Sequence, residues 1–247
     1  MEYTANFYGY GNDPEFMAAV RTMLAKGAFA TDLLVTLGKK RNFIYDEKFV
    51  ETIKNHPEGN VSHLMWRLHT ACWAAHSCLE LEGAFVECGV QDGTFSTMII
   101  EYLSLKGGKD FFLFDSFAGI PERYLDQGNN KDINHNEYMD HGQYEKLSDR
   151  FSSYENVHLV RGNLPEVLSG QCPEKISFLH MDLSNYESER DVLEILIDKI
   201  VPGGIVLFQG YEFIGYRIWN IANDDFIKNN NIKILSLPTG QGLIVKH

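Results

Sequence analysis

The sequence predicts an α/β fold: a doubly wound, mostly parallel Rossmann-like sheet of seven strands, with a C-terminal antiparallel hairpin and an N-terminal helical extension. Two observations indicate this fold. The apolar runs from about residue 83 onward are continuous rather than alternating, as expected for strands buried on both faces of a parallel sheet. Segments with helical periodicity separate these runs, and this alternation of strand and helix is typical of doubly wound folds.

Residues 1–60 are predicted to form a helical cap or extension. Apolar residues recur at helical spacing over about 14–37, and Asp13 precedes Pro14 as an N-cap residue before the first helical position. A second helix is predicted over 61–81, where an apolar stripe recurs every three or four residues. Both helices precede the first strong strand, so we expect them to pack on the core or to support a homo-oligomer. No heptad repeat marks such an assembly.

Residues 61–247 are predicted to form the main domain, with five βα units followed by the hairpin. The predicted strands are AFVECGV, DFFLFDSF, NVHLVRG, ISFLHMDL and GGIVLFQGY, and the hairpin strands are IKILSLP and GLIVKH. Helices are predicted in DGTFSTMIIEYLSL, in SERDVLEILIDKI (closed by Pro-Gly-Gly) and over about 216–228. The segment TGQG between the last two strands is a turn suited to a hairpin.

Residues 121–150 interrupt this alternation. They are polar, rich in Asn and Asp and poor in aliphatic side chains. A long insertion in a compact domain is usually a functional lid or a disordered loop, and we expect a lid.

The composition limits the classes of partner. A net charge of -12 argues against nucleic acid or an anionic membrane, because phosphate binding needs clusters of Lys and Arg. The four cysteines show no CxxC spacing and are expected to be reduced core thiols rather than metal ligands or disulfides. No signal-peptide pattern and no apolar stretch long enough to span a bilayer are present, which predicts a cytoplasmic protein.

Polar residues follow the predicted strands where ligands bind in open parallel sheets, at the carboxyl ends. The first strand ends in Glu87, followed by a turn with Gly89 and Gly93, where glycine allows a tight turn and a close approach to a ligand. The second ends in Asp115, a position that holds ribose hydroxyls in nucleoside-binding sheets or simply caps the next turn. The third and fourth strands are followed by Asn163 and Asp182.

The first turn lacks the G-x-G-x-x-G pattern that dinucleotides prefer. An NAD-dependent enzyme is therefore disfavoured, and a mononucleoside-like cofactor such as S-adenosylmethionine is favoured.

The segments FVECGVQDG, FLFDSFAGIPE, MDLSNYESERDVLEIL, PGGIVLFQGY and LPTGQGLIVK resemble, in order and spacing, the macrocin O-methyltransferase family. That family methylates sugar hydroxyls with S-adenosylmethionine. The resemblance implies that Glu87, Gly89 and Gly93 surround the methionine part of the cofactor. It also implies that Asp115, with Ser116 and Phe117, contacts the ribose and adenosine, and that Asp182 lies near the transferable methyl group.

The sequence departs from the family at the metal site. The characterised relatives hold Mg²⁺ with carboxylates at three positions, which are Ser184, Gln209 and Gly210 in this sequence. Mg²⁺ prefers carboxylate oxygens in octahedral geometry, so we expect no tight Mg²⁺ site. The alternative is that Asp182, Glu187 or Glu212 supplies the missing ligands.

Without a metal, a side chain must remove the proton from the acceptor hydroxyl. Asp182 is the first candidate for this base, followed by His180 and by His141 in the predicted lid. His180 lies inside an apolar run and is alternatively a core histidine, and His141 is alternatively a solvated loop residue. The sequence thus predicts a methyltransferase acting on a sugar or natural-product hydroxyl. The alternative is a catalytically degenerate protein that binds S-adenosylmethionine or S-adenosylhomocysteine.

Overall fold

The structure, a computed structural model, describes residues 29–36, 39–124, 142–183, 185–212 and 225–247. Its strands are β1 Phe29–Thr31, β2 Leu34–Thr36, β3 Ala84–Cys88, β4 Phe111–Asp115, β5 Val157–Arg161, β6 Ile176–Met181, β7 Ile200–Phe208, β8 Leu235–Ser236 and β9 Gly242–Val245. Its helices are α1 Glu47–Lys54, α2 Met65–Ser77, α3 Thr94–Leu103, α4 Gln143–Phe151, α5 Tyr186–Leu196 and α6 Asp225–Asn229. None of the described helices is long and apolar enough to cross a membrane.

Seven strands form one mixed sheet in the order β5-β4-β3-β6-β7-β9-β8. The strands from β5 to β7 in this order pair in parallel, whereas β9 pairs antiparallel with both β7 and β8. This confirms the predicted doubly wound sheet and its C-terminal hairpin. All residues of β3 and β6 are buried, which explains why their sequences are continuous apolar runs.

The strand order reverses between β3 and β6, because the chain leaves β3 towards β4 and later returns on the other side to form β6. Helices cover both faces of the sheet. Met98 and Ile99 of α3 lie in the core on one face, and Val192 and Leu193 of α5 lie in the core on the other. Such a reversal opens a crevice at the carboxyl ends of the central strands, which is where doubly wound sheets bind ligands.

The segment 29–36 is a two-stranded antiparallel hairpin rather than part of the helix predicted over 14–37. Its turn is formed by Asp32 and Leu33, which have φ of 54° and 56°. The Asp32 side chain is buried against α2, so tertiary contacts override the local periodicity. The part of the predicted helix before residue 29 lies outside the described residues.

The Pro-Gly-Gly segment at 202–204 lies within β7. The sequence predicted a strand beginning at Gly203, but it also predicted that this segment would close the preceding helix. Helix α5 ends at Leu196 and is followed by one 3-10 turn, Ile197–Lys199. Gly203 donates to the carbonyl of Lys246, and Gly204 accepts from the amide of Lys246. Pairing with the C-terminal strand therefore extends β7 backwards through the two glycines.

The predicted lid is described only at its two ends. Residues 122–124 form a 3-10 turn, and residues 143–150 belong to helix α4. Leu147 of α4 is buried against the core, so this end of the insertion is a packed helix. Residues 125–141 lie outside the described part of the chain, as do residues 213–224, which include most of the helix predicted over 216–228.

Candidate active site

Gly89 brings the tips of β3 and β6 together. Its φ is +89°, and a Cβ atom there would collide with the backbone carbonyl of Asp182. Its amide donates to the carbonyl of Phe114 at 2.9 Å, and the amide of Asp182 donates to the carbonyl of Cys88 at 2.8 Å. Only glycine combines this conformation with so close an approach, so the predicted need for glycine has a steric cause.

The turn from Gly89 to Gly93 connects β3 to helix α3. Gly93 has φ of +74° at the start of α3, and a Cβ atom there would collide with Leu147 of α4. Between the two glycines, Gln91 has φ of +49°, a conformation that costs free energy for a residue other than glycine. Such strain recurs where a backbone turn faces a ligand.

Asp115 anchors this turn from the end of β4. One carboxylate oxygen accepts hydrogen bonds from the amides of Val90 and Gln91 at 2.8 and 2.9 Å, and the other accepts from the amide of Phe117 at 2.7 Å. The structure thus gives Asp115 the capping role that the sequence analysis left as an alternative. Contact with a cofactor ribose stays a prediction, since carboxylate oxygens accept more than one hydrogen bond each.

Ser116 and Phe117 shape the loop after β4. The Ser116 hydroxyl accepts from the amide of Ala118 and donates to the carbonyl of Gly119, both at 3.1 Å. Phe117 has φ of +51° and is buried, with its ring edge-on to Tyr144 of α4 at 5.4 Å. These contacts place both residues beside Asp115, where the resemblance expects the adenosine.

Asn163 lies at the end of β5, next to Gly162, whose amide donates to the backbone carbonyl of Asp115 at 2.9 Å. The Asn163 side chain is exposed. It belongs to the same edge of the sheet as Asp115, although it is the most peripheral of the predicted cofactor residues.

Glu87 and His180 form a buried pair on adjacent strands. They are opposite each other in the register of β3 and β6, and Nδ1 of His180 lies 2.9 Å from Oε1 of Glu87. Burial raises the pKa of Glu87, and His180 partly offsets this. Burial alone would lower the pKa of His180, but Glu87 outweighs it and the pKa is raised. The ring of His180 also packs on Phe95 at 4.8 Å.

This burial argues against His180 as a base that touches an acceptor. Its side chain is 0% exposed, so a substrate hydroxyl has no access to it. His180 therefore occupies the core position that the sequence offered as the alternative to a catalytic role. It is paired there with the Glu87 carboxyl group.

Asp182 follows β6 directly and is partly exposed, unlike the buried Glu87. The pKa of Asp182 is raised to about 6, chiefly by burial and also by the charge of Glu87, although the charges of His180 and Arg67 act in the opposite direction. A carboxyl with a pKa near neutrality suits a general base, because it is ionised at pH 7 yet basic enough to accept a proton.

The expected metal positions hold groups that do not fit Mg²⁺. Gln209 is buried, and its side-chain oxygen accepts from Nε2 of Gln241 at 2.9 Å. Gly210 has no side chain, and Ser184 lies outside the described residues. Of the alternative ligands, Glu212 already accepts from the Ser236 hydroxyl at 2.7 Å. The side-chain oxygen of Gln209 is a neutral amide oxygen that already accepts a hydrogen bond from Gln241, whereas Mg²⁺ prefers carboxylate oxygens.

Across the described ranges, no group of three or more His, Cys, Asp or Glu side chains is arranged to hold a metal ion. His141, the third candidate base, lies outside the described residues.

Gln241 is a site residue that the sequence analysis missed. It was quoted within the motif LPTGQG, but only its suitability for a turn was used. The structure buries it completely and connects it to Gln209 and to the Thr239 hydroxyl. The signal available in the sequence was a glutamine directly before the apolar strand β9, where a turn residue is ordinarily solvated.

Arg67 is a second residue near the site to which the sequence analysis assigned no role. It lies on α2, and its Nε lies 2.9 Å from Oδ1 of Asp32 in the hairpin. The positive charge of Arg67 lowers the pKa of Asp182. The contact with Asp32 depends on a hairpin that the sequence did not predict.

Comparison with known proteins agrees with this arrangement. The family described as Macrocin-O-methyltransferase (TylF) matches residues 63–235. No curated protein matches the chain.

Two solved structures share the fold. The O-methyltransferase NovP aligns with a TM-score of 0.65 and 17% identity, over 83% of this chain and 99% of that chain. CalS11, a calicheamicin methyltransferase, aligns with a TM-score of 0.59 and 19% identity, over 85% of this chain and 98% of that chain. At these identities the likeness supports the architecture of the sheet and its helices.

Proposed function

The chain belongs to the macrocin O-methyltransferase family, and from this premise we propose that it methylates a hydroxyl of a sugar or small natural product without Mg²⁺. S-adenosylmethionine is the methyl donor that the family implies. The observation that carries the metal-free proposal is the side chain of Gln209, which is buried and bonded to Gln241 where the relatives have a carboxylate.

The residues present fit the cofactor at one edge of the sheet. The strained turn between Gly89 and Gly93 would face its methionine part, with Glu87 below the turn. The loop of Asp115, Ser116 and Phe117 would hold the nucleoside, with Asn163 beside it. When bound, the cofactor supplies an electrophilic methyl group on a sulfonium centre.

Asp182 is proposed as the general base. It is partly exposed, and its backbone carbonyl lies against Gly89 at the start of the β3 turn. As an ionised group it would accept the acceptor's hydroxyl proton and orient its oxygen for in-line attack. His180 is enclosed by the protein and is not proposed for this role.

The partner is proposed to be a small molecule, in a cytoplasmic setting, with neither nucleic acid nor membrane as a ligand. CalS11 is described as a TDP-rhamnose 3'-O-methyltransferase. Nucleotide-linked deoxysugars are therefore the first acceptors to screen.

The alternative, a catalytically degenerate cofactor-binding protein, is favoured by the lost metal carboxylates. It differs from the proposal in one observable: it would bind S-adenosylmethionine without transferring its methyl group to any acceptor.

The experiment combines calorimetric titration with S-adenosylmethionine and an acceptor screen, each run in Mg²⁺ and in EDTA. We expect binding and transfer that EDTA leaves unchanged. Asp182→Asn should lower the rate of transfer by about 10²–10⁴-fold while cofactor binding persists. In the unmodified protein, the rate should fall as the pH drops below about 6, because protonated Asp182 no longer accepts a proton.

Asp198→Asn, an exposed carboxylate after α5, is the matched control and should leave both readouts unchanged. Binding or transfer that requires Mg²⁺ would overturn the metal-free proposal. Cofactor binding without transfer to any acceptor would support the degenerate alternative, and no cofactor binding would refute both.

A further inference from the structure

A hydrogen bond between Tyr124 and Asn185 joins two loops at the carboxyl end of the sheet. Tyr124 ends a 3-10 turn on the loop that follows Asp115 and β4. Asn185 lies on the connection between β6 and α5, three residues after Asp182. Strands β4 and β6 are not neighbours, because β3 lies between them in the sheet. The bond therefore joins loops that lie on either side of β3.

The side chain of Asn185 uses both ends of its amide group. Its oxygen accepts from the amide of Ser188 at 3.0 Å, which is the N-cap bond of α5, and its Nδ2 donates to the carbonyl of Tyr124 at 3.1 Å. Asn185 and Tyr124 are 2% and 3% exposed, so these bonds are shielded from water. Because a carbonyl only accepts and a backbone amide only donates, the side chain of Asn185 has one allowed orientation.

The turn that carries Tyr124 is attached at further points. The Tyr124 hydroxyl donates to Oδ2 of Asp191 on α5 at 2.9 Å. The neighbouring Arg123 forms an ion pair with Glu166 and donates to the carbonyl of Leu164 at 2.8 Å. The turn is thus bonded to α5 and to the loop after β5, so its backbone carbonyl is a fixed point.

The connection that carries Asp182 is held at both ends. The amide of Asp182 donates to the carbonyl of Cys88 at 2.8 Å, which fixes the start of the connection on the tip of β3. Asn185 fixes its end on the loop after β4. Three positions separate these two points, so the backbone of Asp182 has little freedom to move relative to the loop after β4.

We propose that Asn185 and Tyr124 are positioning residues. They hold the connection that carries Asp182 at a fixed distance from the loop that follows Asp115. Under the proposed function, on which this role rests, the arrangement aligns the base with the methyl group of a cofactor whose nucleoside lies in that loop. In-line transfer depends steeply on alignment, and a misplacement of about 1 Å lowers a rate by as much as about 10²-fold.

Asn185→Ser separates this role from the capping of α5. Serine is a good N-cap residue and keeps the bond to Ser188, but its side chain is too short to reach the carbonyl of Tyr124. We expect kcat for methyl transfer to fall about 10–100-fold, whereas KM for the acceptor and Kd for S-adenosylmethionine change by less than about threefold. Asn230→Ser is the matched control, because Nδ2 of Asn230 also donates to a backbone carbonyl, that of Phe226 at 2.9 Å. It should leave all three constants unchanged.

Tyr124→Phe is the second variant, because it removes the bond to Asp191 but keeps the ring and the backbone carbonyl. It should lower kcat about threefold to tenfold, with KM unchanged. Tyr154→Phe removes a similar bond, from the Tyr154 hydroxyl to Oε1 of Glu101 at 2.6 Å, and should have no effect on kcat. An unchanged kcat in both site variants overturns the positioning role, as does a rise in KM without a fall in kcat. If Asn185→Ser fails to fold, Tyr124→Phe decides.

Hydrogen exchange of the cofactor-free, full-length protein tests the link between the two loops without turnover. In Asn185→Ser, the peptides around Asp182 and around Tyr124 should both exchange about 3–10-fold faster, because the lost bond joined them. Faster exchange in only one of these peptides, or in neither, would overturn the proposal.

The two proposals therefore fail separately. Faster exchange in both peptides of a protein that binds no S-adenosylmethionine would support the link between the loops and refute the proposed function. Unchanged exchange around Tyr124 in an active methyltransferase would do the reverse.

Discussion

Gly89 illustrates how one residue serves both backbone geometry and the site. Its φ of +89° is nearly the same as that of Gly59, which is +88°. A Cβ atom at Gly59 would meet nothing within 4 Å, whereas at Gly89 it would meet the carbonyl of Asp182. The two positions therefore separate the conformational cost of a side chain from the cost of blocking the contact between β3 and β6.

Gly59→Ala should lower the free energy of unfolding by about 1 kcal/mol, because alanine disfavours positive φ. Gly89→Ala should lower it by roughly 2–4 kcal/mol, since the carbonyl of Asp182 must also move, and it should weaken cofactor binding. Urea denaturation and calorimetric titration of both variants provide the comparison. Equal losses of stability, with cofactor binding intact in both, would show that the close approach is unimportant.

The sequence predicted the strand-tip residues more completely than their partners. Glu87, Asp115 and Asp182 were found because the carboxyl ends of parallel strands meet at one edge, whatever the details of packing. The bonds from Asp115 to the turn and from Glu87 to His180 depend on strand register, which the apolar runs do not specify. The sequence accordingly left the roles of Asp115 and His180 open.

At the scale of elements, helix α2 depends on a hairpin that precedes it by about thirty residues. Leu64, its own N-cap residue, supplies no side-chain acceptor. Asp32 replaces it: one carboxylate oxygen accepts from the amide of Trp66 at 2.8 Å, and the other accepts from Nε of Arg67 at 2.9 Å. The Asp32 side chain is fully buried, so these bonds are shielded from water.

Asp32→Asn should therefore lower the free energy of unfolding by about 2 kcal/mol or more, because it removes the buried negative charge that pairs with Arg67. Asp149→Asn, an exposed carboxylate on α4, is the matched control and should cost little. Denaturation monitored by circular dichroism measures both. If the two variants lose the same stability, Asp32 does not hold the start of α2.

This hairpin shows why part of the fold escaped prediction. Its strands have three residues each, too short for a periodic pattern, and its turn places Asp32 and Leu33 in the left-handed region without a glycine. The long apolar strands of the sheet carry a signal that is independent of their neighbours. The hairpin is stabilised mainly by what it contacts, and contacts between distant segments are not visible in a local window of sequence.

At the scale of the whole molecule, the folded protein should protect its thiols. Cys72, Cys78 and Cys88 are buried, whereas Cys172 is partly exposed. Burial raises the pKa of all four thiols, to about 11 for Cys78 and Cys172. The thiolate is the reactive form, so none of them reacts readily at pH 8 while the protein is folded.

An aromatic disulfide reagent at pH 8 should thus modify at most one thiol in the native protein, and slowly, but all four in denaturant. Cys172→Ser should abolish the native reaction and reduce the denatured count to three. Rapid modification of two or more thiols in the native protein would contradict the buried positions.

The pairing of β9 with β7 has a consequence for the order of folding. Gln241 donates to the backbone carbonyl of Arg67, and these two residues are separated by 174 positions along the chain. Contacts between such distant segments form late, because closing the long loop between them costs conformational entropy before the contacts stabilise the fold. A partly folded chain with its five parallel strands paired would already have the cofactor crevice. It would still lack the hydrogen bond from Gln241 to the buried side chain of Gln209, which would form only in the final step of assembly.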